Sequence, residues 1–326
     1  MTHIRSEIIG CGHYLPSKIL TNDDLSKIVE TSDEWISERT GIRARHVVAE
    51  GESTSDLCFN AAQNALKHAN VDASEIDLVI VATITPDNLT PAVATKVSAR
   101  LGVPAGKPAF DISAACSGFV YAMTLADNMI RLGQVKKAII IGAESLSRIT
   151  DWTDRNTCIL FGDGAGAVVL QAREGKGTIE DTGVLATKIY SDGNYYESLK
   201  TTGGPSTTQS TGFLWMNGKE VFKYAIPAMA SSIEAIVEET KITLDDIDWV
   251  IPHQANIRII DGVAKKLEID NSKVIVTVAN QGNTSAATIP LALSESVASG
   301  KIKKGDLVVL TAMGAGFTWG GALVRF

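Results

Sequence analysis

The sequence repeats itself. "SEIDLVIVAT" (74–83) returns as "DDIDWVIPHQ" (245–254), "AACSGFVYAMTLAD" (114–127) as "QGNTSAATIPLALSE" (281–295), and "GQVKKAIIIGAES" (133–145) as "GKIKKGDLVVLTAMG" (300–314). The pairs stand in one order, each about 170 residues apart, as a duplicated unit requires. A chain of 326 residues is long enough to hold two such units around a sizeable core. The expected halves are 1–178 and 179–326.

Within each unit, short apolar runs alternate with helical patterns. "IDLVIVAT" (76–83) and "KKAIIIGAE" (136–144) read as buried strands, and "TPAVATKVSARLG" (90–102) and "GFVYAMTLADNMIRLG" (118–133) as helices closed by Gly102 and Gly133. Strands alternating with helices make the chain α/β, with parallel sheet. "SDGNYYESLKTTGGPSTTQSTG" (191–212) has too many turn residues for a helix and reads as a long loop, either a cover or a linker.

Composition excludes several classes. With 45% hydrophobic and 21% charged residues the chain is globular, and its net charge of −7 gives no global basic footprint for nucleic acid. No apolar run reaches the length of a membrane helix, and the start lacks a signal-peptide pattern. Cys11, Cys58, Cys116 and Cys158 form no C-x-x-C pair, which suits a reducing cytoplasm. "FGDGAGAVVL" (161–170) is followed by a strand pattern rather than a helix, so close packing or a hairpin is preferred over a dinucleotide site. No zinc spacing or phosphate loop is present.

Two residues stand out. Cys116 sits among Ala114, Ala115, Ser117 and Gly118, between a strand and a helix. The small neighbours leave room for a substrate, and a helix N-terminus favours a thiolate. Core packing is the plainer alternative. His253 ends the apolar run "IDWVIPHQAN", where a strand delivers it to a carboxyl edge of the sheet. In the repeat, Asn283 occupies roughly the place of Cys116, so a pseudo-twofold axis brings Cys116, His253 and Asn283 together. The glycines of "TAMGAGFTWGGALVRF" (311–326) let an N–H near Ala315 complete an oxyanion hole with that of Cys116.

"AACSGF", "PHQANIRI", "GNTSAA" and "GFTWGGALVRF", with "TSDEWISERTGIRARH" (31–46), together resemble the β-ketoacyl-acyl carrier protein synthase III family, initiating condensing enzymes of type II fatty-acid synthesis. The resemblance spans the whole chain. It implies a thiolase-like duplicated fold in five layers, αβαβα, usually as a homodimer. It implies a catalytic Cys116, His253 and Asn283, and coenzyme A contacts at Trp35, Arg39, Arg155, Phe222 and Asn256. An indole and a guanidinium stack well on an adenine, although packing alone is the plainer role for Trp35. The substrates implied are an acyl-coenzyme A and malonyl-acyl carrier protein, with no metal or redox cofactor.

There are two departures from the family pattern. Met313 precedes "GAGF" where relatives often have Phe before "GGGF", and Thr90 stands where many carry a bulky Phe closing the acyl pocket across the dimer. A deeper channel for longer acyl chains follows from the second. The acidic carrier protein needs a local positive face, expected from Arg258 and Lys265 on the helix of 255–269, with Lys223. The alternatives are a related condensing enzyme of a specialised pathway, a silent subunit of a condensing heterodimer, and a cysteine hydrolase.

Overall fold

The structure, a computed structural model, describes residues 3–326. The apolar runs become two mixed sheets. In the first, five strands lie in the order His3–Tyr14, Asp163–Gly175, Lys137–Ser145, Leu78–Ala82 and Ala109–Ile112. In the second, four lie in the order Gly183–Ser191, Thr318–Arg325, Leu307–Gly314 and Trp249–Pro252. The sheets match strand for strand. Each pairs its first three strands antiparallel and then turns parallel. The fifth place in the second sheet is reduced to one parallel bridge, Val250 to Val274.

Strands buried on both faces must be covered on both. Between the sheets lie the helices Gly118–Arg131 and Thr288–Ala298. Phe119, Val120 and Met123 from one, and Ile289, Ala292 and Leu293 from the other, join Ile80, Ile140, Val308 and Leu310 in a single core. Each such fully buried aliphatic side chain contributes roughly 1.5–3 kcal/mol relative to exposure. Outside the first sheet, Thr54–Ala69 and Val93–Leu101 cover Val79, Val81, Ile139 and Ile141. Outside the second, Gly218–Thr240 and Ile257–Lys266 cover Val250, Val309 and Leu323. The result is five layers, αβαβα.

Local signals decide the ends. Gly102, left-handed at φ 86, caps Val93–Leu101, and Gly133 follows the central helix at φ 71. The 161–170 segment runs into strand Asp163–Gly175, packed closely on the second central helix: a Cβ at Gly166 would come within 2.5 Å of the Pro290 carbonyl carbon. The 191–212 segment is less irregular than its composition suggests. It holds a 3₁₀ turn, Gly193–Ser198, and a strand, Leu199–Thr201, that pairs with Leu214–Met216 as a hairpin. Among the described residues no helix is long and apolar enough to cross a membrane.

Candidate active site

Strand Ala109–Ile112 leaves the first sheet and enters a 3₁₀ turn, Ala115–Ser117, before helix Gly118–Arg131. Ala115 takes a left-handed φ of 46, which folds the chain sharply and places Cys116 at the helix N-terminus. The hairpin between Leu307–Gly314 and Thr318–Arg325 packs on this turn. A Cβ at Gly314 would lie 2.6 Å from the Cys116 backbone nitrogen, so only glycine allows the approach. Among the described residues the backbone N–H groups of Cys116 and Ala315 have no hydrogen-bond acceptor, and both remain available to an oxyanion.

The second half supplies the polar groups. His253 follows strand Trp249–Pro252 and extends its ladder, donating its N–H to the Thr311 carbonyl at 2.7 Å. Its ring is buried, and burial lowers its pKa from 6.5 to about 3, so it is neutral. The Thr288 hydroxyl lies 2.7 Å from Nδ1 and 3.0 Å from the Ser285 carbonyl. When it donates to Nδ1, the ring proton sits on Nε2. Asn283 is held by its backbone, whose N–H donates to the Leu160 carbonyl at 2.8 Å. Its Oδ1 accepts the Ser285 N–H at 2.8 Å, and since an N–H can only donate, the side-chain NH₂ must be the free end.

Cys116, His253 and Asn283 line one pocket of ≈ 370 Å³. The same pocket is lined by Arg39, Phe222, Asn256 and Arg258, and by Leu199 and Met216 of the 199–216 hairpin, which therefore covers it. Met313 lines it too. Trp35 stands just outside, with the Arg39 and Arg155 guanidiniums over its ring at 4.3 and 4.8 Å. Asn256 caps helix Ile257–Lys266 by accepting the Arg258 N–H at 2.8 Å. Arg258 is exposed and donates to the Glu38 carbonyl at 3.2 Å, while Lys265 and Lys223 are exposed and outside the lining. Thr90 is exposed and also outside it.

Two expectations need correction. The counterpart of Cys116 is Ala286, not Asn283: the turn Ser285–Ala287 and helix Thr288–Ala298 repeat Ala115–Ser117 and Gly118–Arg131, with Ser285 at φ 50 as Ala115 is at 46. Asn283 precedes that turn. The expected resting thiolate is also opposed by burial, which pushes the Cys116 thiol up to about 12, and the Glu144 carboxyl adds to this. The Ser285 hydroxyl works in the opposite direction but is outweighed. Three residues escaped sequence reasoning: Ser285, Thr288 and Glu144. Only Glu144 carried a signal, as an acid at the end of an apolar strand pattern.

Two family models match, both described as 3-oxoacyl-[acyl-carrier-protein (ACP)] synthase III, one over residues 110–193 and one, its C-terminal part, over 237–326. A β-ketoacyl-[acyl-carrier-protein] synthase III from Rhodospirillum centenum is 58% identical over 323 residues, 99% of each chain. The one from Brucella suis is 56% identical, covering 99% of this chain and 100% of that one. A crystal structure of 3-oxoacyl-[acyl-carrier-protein] synthase III from Aquifex aeolicus superimposes with a TM-score of 0.92 at 47% identity, over 98% of this chain and 100% of that one. With these relatives, two matched sheets and one pocket shared by both halves, the chain belongs to the β-ketoacyl-acyl carrier protein synthase III family, acyltransferases that carry out the initiating condensation of fatty-acid synthesis.

Proposed function

We propose that Cys116, His253 and Asn283 carry out this condensation, taking an acyl group from acyl-coenzyme A and joining it to malonyl-acyl carrier protein. The observation that carries the reading is their convergence on one pocket from opposite halves, 1–178 and 179–326. Cys116 sulfur attacks the acyl thioester, and the N–H groups of Cys116 and Ala315 hold the tetrahedral oxyanion. Coenzyme A leaves and malonyl-carrier protein enters. As carbon dioxide departs, the Nε2–H of His253 and the NH₂ of Asn283 donate to the enolate oxygen. The carbanion then attacks the carbonyl carbon of acyl-Cys116, the bond from that carbon to the Cys116 sulfur breaks, and β-ketoacyl-carrier protein leaves with the free cysteine restored. These steps close on the side chains and substrates alone, without a metal or redox cofactor.

Trp35, Arg39, Arg155, Phe222 and Asn256 bind coenzyme A, with an adenine entering between indole and guanidinium. Arg258, Lys223 and Lys265 form the cationic face for the acidic carrier protein. Thr90 gates the acyl pocket of the partner in a cytoplasmic homodimer, and its small side chain admits chains longer than acetyl. A specialised pathway is not favoured, because the relatives sharing over half of this sequence are named β-ketoacyl-[acyl-carrier-protein] synthase III. Incubation with a panel of acyl-coenzyme A thioesters, followed by intact-protein mass spectrometry and peptide mapping, tests the assignment. Acylation confined to Cys116 supports it. A mass shift on another residue, or none with any chain length, overturns it.

A further inference from the structure

Glu144 is fully buried, with no cationic partner among the described residues. A carboxyl in such a place is costly to ionise and adds little to the fold, so its presence needs a reason. Its Oε2 accepts the Thr85 hydroxyl at 2.7 Å, the Thr83 hydroxyl at 3.2 Å and the Ile84 N–H at 3.1 Å. Its Oε1 has only a longer contact to the same N–H, 3.3 Å. One oxygen is thus anchored and the other is nearly free.

The side chain faces the turn Ser285–Ala287. Alternate residues of strand Lys137–Ser145 share a face, so Glu144 projects on the side of Gly142. That side carries the turn Ser285–Ala287, since a Cβ at Gly142 would meet the Ala286 carbonyl oxygen at 2.2 Å. The Ser285 hydroxyl is buried and has no well-formed hydrogen bond of its own. The turn that carries it packs on both the turn Ala115–Ser117 and strand Lys137–Ser145, and the hydroxyl acts to lower the pKa of the Cys116 thiol and of the Glu144 carboxyl.

We propose that Ser285 and Glu144 form the route by which Cys116 loses its proton during acyl transfer, a positioning and proton-holding role that rests on Cys116 taking the acyl group. The Cys116 S–H proton passes to Ser285 Oγ as the Ser285 hydroxyl proton passes to the Glu144 carboxylate, while the sulfur electron pair forms the bond to the thioester carbon. When the carbon–sulfur bond to coenzyme A breaks, the same two protons move back, and the departing sulfur leaves as a thiol. His253 is the poorer acceptor. Burial holds it near 3, whereas burial raises Glu144 only to about 7, within reach of a working pH. The titratable groups around Glu144 are the Cys116 thiol and the Cys58 thiol of helix Thr54–Ala69. Beyond Cys58 lie Asp87, paired with Lys96, and Asp111, held by the Val93 and Ala94 N–H groups.

The test is the single-turnover rate of Cys116 acylation by acyl-coenzyme A, followed by coenzyme A release, in Glu144→Gln and Ser285→Ala. Alanine tolerates the Ser285 backbone, since Ala115 already holds the matching φ. Each variant should slow acylation by about 10²-fold, the lower end for a lost general base, and the double variant should be no slower than either. Decarboxylation of malonyl-carrier protein should stay within threefold. In the unaltered enzyme, acylation should rise with pH through about 7 and then level, a dependence absent from Glu144→Gln. A proton inventory on the unaltered enzyme should curve, because two protons move together. Normal acylation in Glu144→Gln, an equal fall in both half-reactions, or a linear inventory overturns the relay. A complete lack of acylation in the unaltered enzyme overturns the functional reading as well.

Discussion

The two halves meet at a pair of matched turns, Ala115–Ser117 and Ser285–Ala287, and the pair shows what duplication kept and what it divided. Both begin with a left-handed residue, and both lead into a buried central helix. The middle residue differs. Cys116 opens onto the pocket, whereas Ala286 is buried against Gly118 and Gly142. A side chain larger than methyl at 286 would push the halves apart. The second turn therefore carries no sulfur, and polar residues before, within and after it, Asn283, Ser285 and Thr288, face the site built around the first. The backbone was repeated, and the pocket's reactive side chains were divided, a sulfur from one half and an imidazole and an amide from the other.

The sharpest way to break this division is to remove the sulfur. Cys116→Ser should lower overall condensation by at least about 10³-fold, ~4 kcal/mol in the barrier. Decarboxylation of malonyl-carrier protein should persist, because the donors sit on the other half. Loss of both together, measured as released carbon dioxide against product, would show that the halves are not separable. The converse is Asn283→Ala. Decarboxylation should fall by about 10²–10³-fold, as for a lost oxyanion donor. Acylation of Cys116 should hold within threefold by mass spectrometry, and a comparable fall there would place Asn283 in both steps.

A third test uses pH. Burial raises Glu144 from 4.5 to about 7, so the folded state binds its proton more tightly than the unfolded state does. The resulting stability is present below 4.5 and is lost as pH rises through about 7. Across that window the unaltered protein should lose ~3 kcal/mol that Glu144→Gln does not lose. Denaturant unfolding at pH 5 and pH 8 measures the difference, and equal pH dependence in both proteins would remove the buried carboxyl from the account.

How much of this was legible in the sequence depended on distance along the chain. The strands, the central helix 118–131 and its cap at Gly133 follow from local periodicity and turn residues. Cys116 and His253 were visible because each ends an apolar run. Asn283 was singled out by the repeat and then by resemblance. The order and spacing of the repeated segments set it roughly opposite Cys116, whereas the left-handed residues at 115 and 285 set Ala286 there. The hairpin of Leu199–Thr201 and Leu214–Met216 was missed because three-residue strands leave no measurable alternation. The contacts of Glu144 with Thr83 and Thr85 cross about sixty residues of chain, and no spacing rule encodes them. The helix N-terminus argued for a thiolate, but the depth at which Cys116 lies is a tertiary property, and burial pushes the thiol pKa the other way.

The smallest effect should come from making the third residue of the first turn match its twin. Ser117 is buried and its hydroxyl donates across the halves to Thr318 Oγ1 at 2.6 Å, with the Ala114 carbonyl at 2.8 Å as its other acceptor. The twin position is Ala287, where no such bond exists. Thr318 keeps its own bonds to the Ala114 and Ala315 carbonyls at 3.0 Å, so Ser117→Ala leaves no donor stranded there. The cost is then one ordinary hydrogen bond, ~1 kcal/mol, which lowers Tm by roughly 2 °C in a chain of this size. Acylation should stay within threefold, because Gly314 still packs on the Cys116 nitrogen. Calorimetry and burst kinetics on the same sample separate the outcomes. A tenfold slower burst at unchanged Tm would mean that the hydroxyl helps hold the nucleophile, and that the twins diverged in positioning as well as in chemistry.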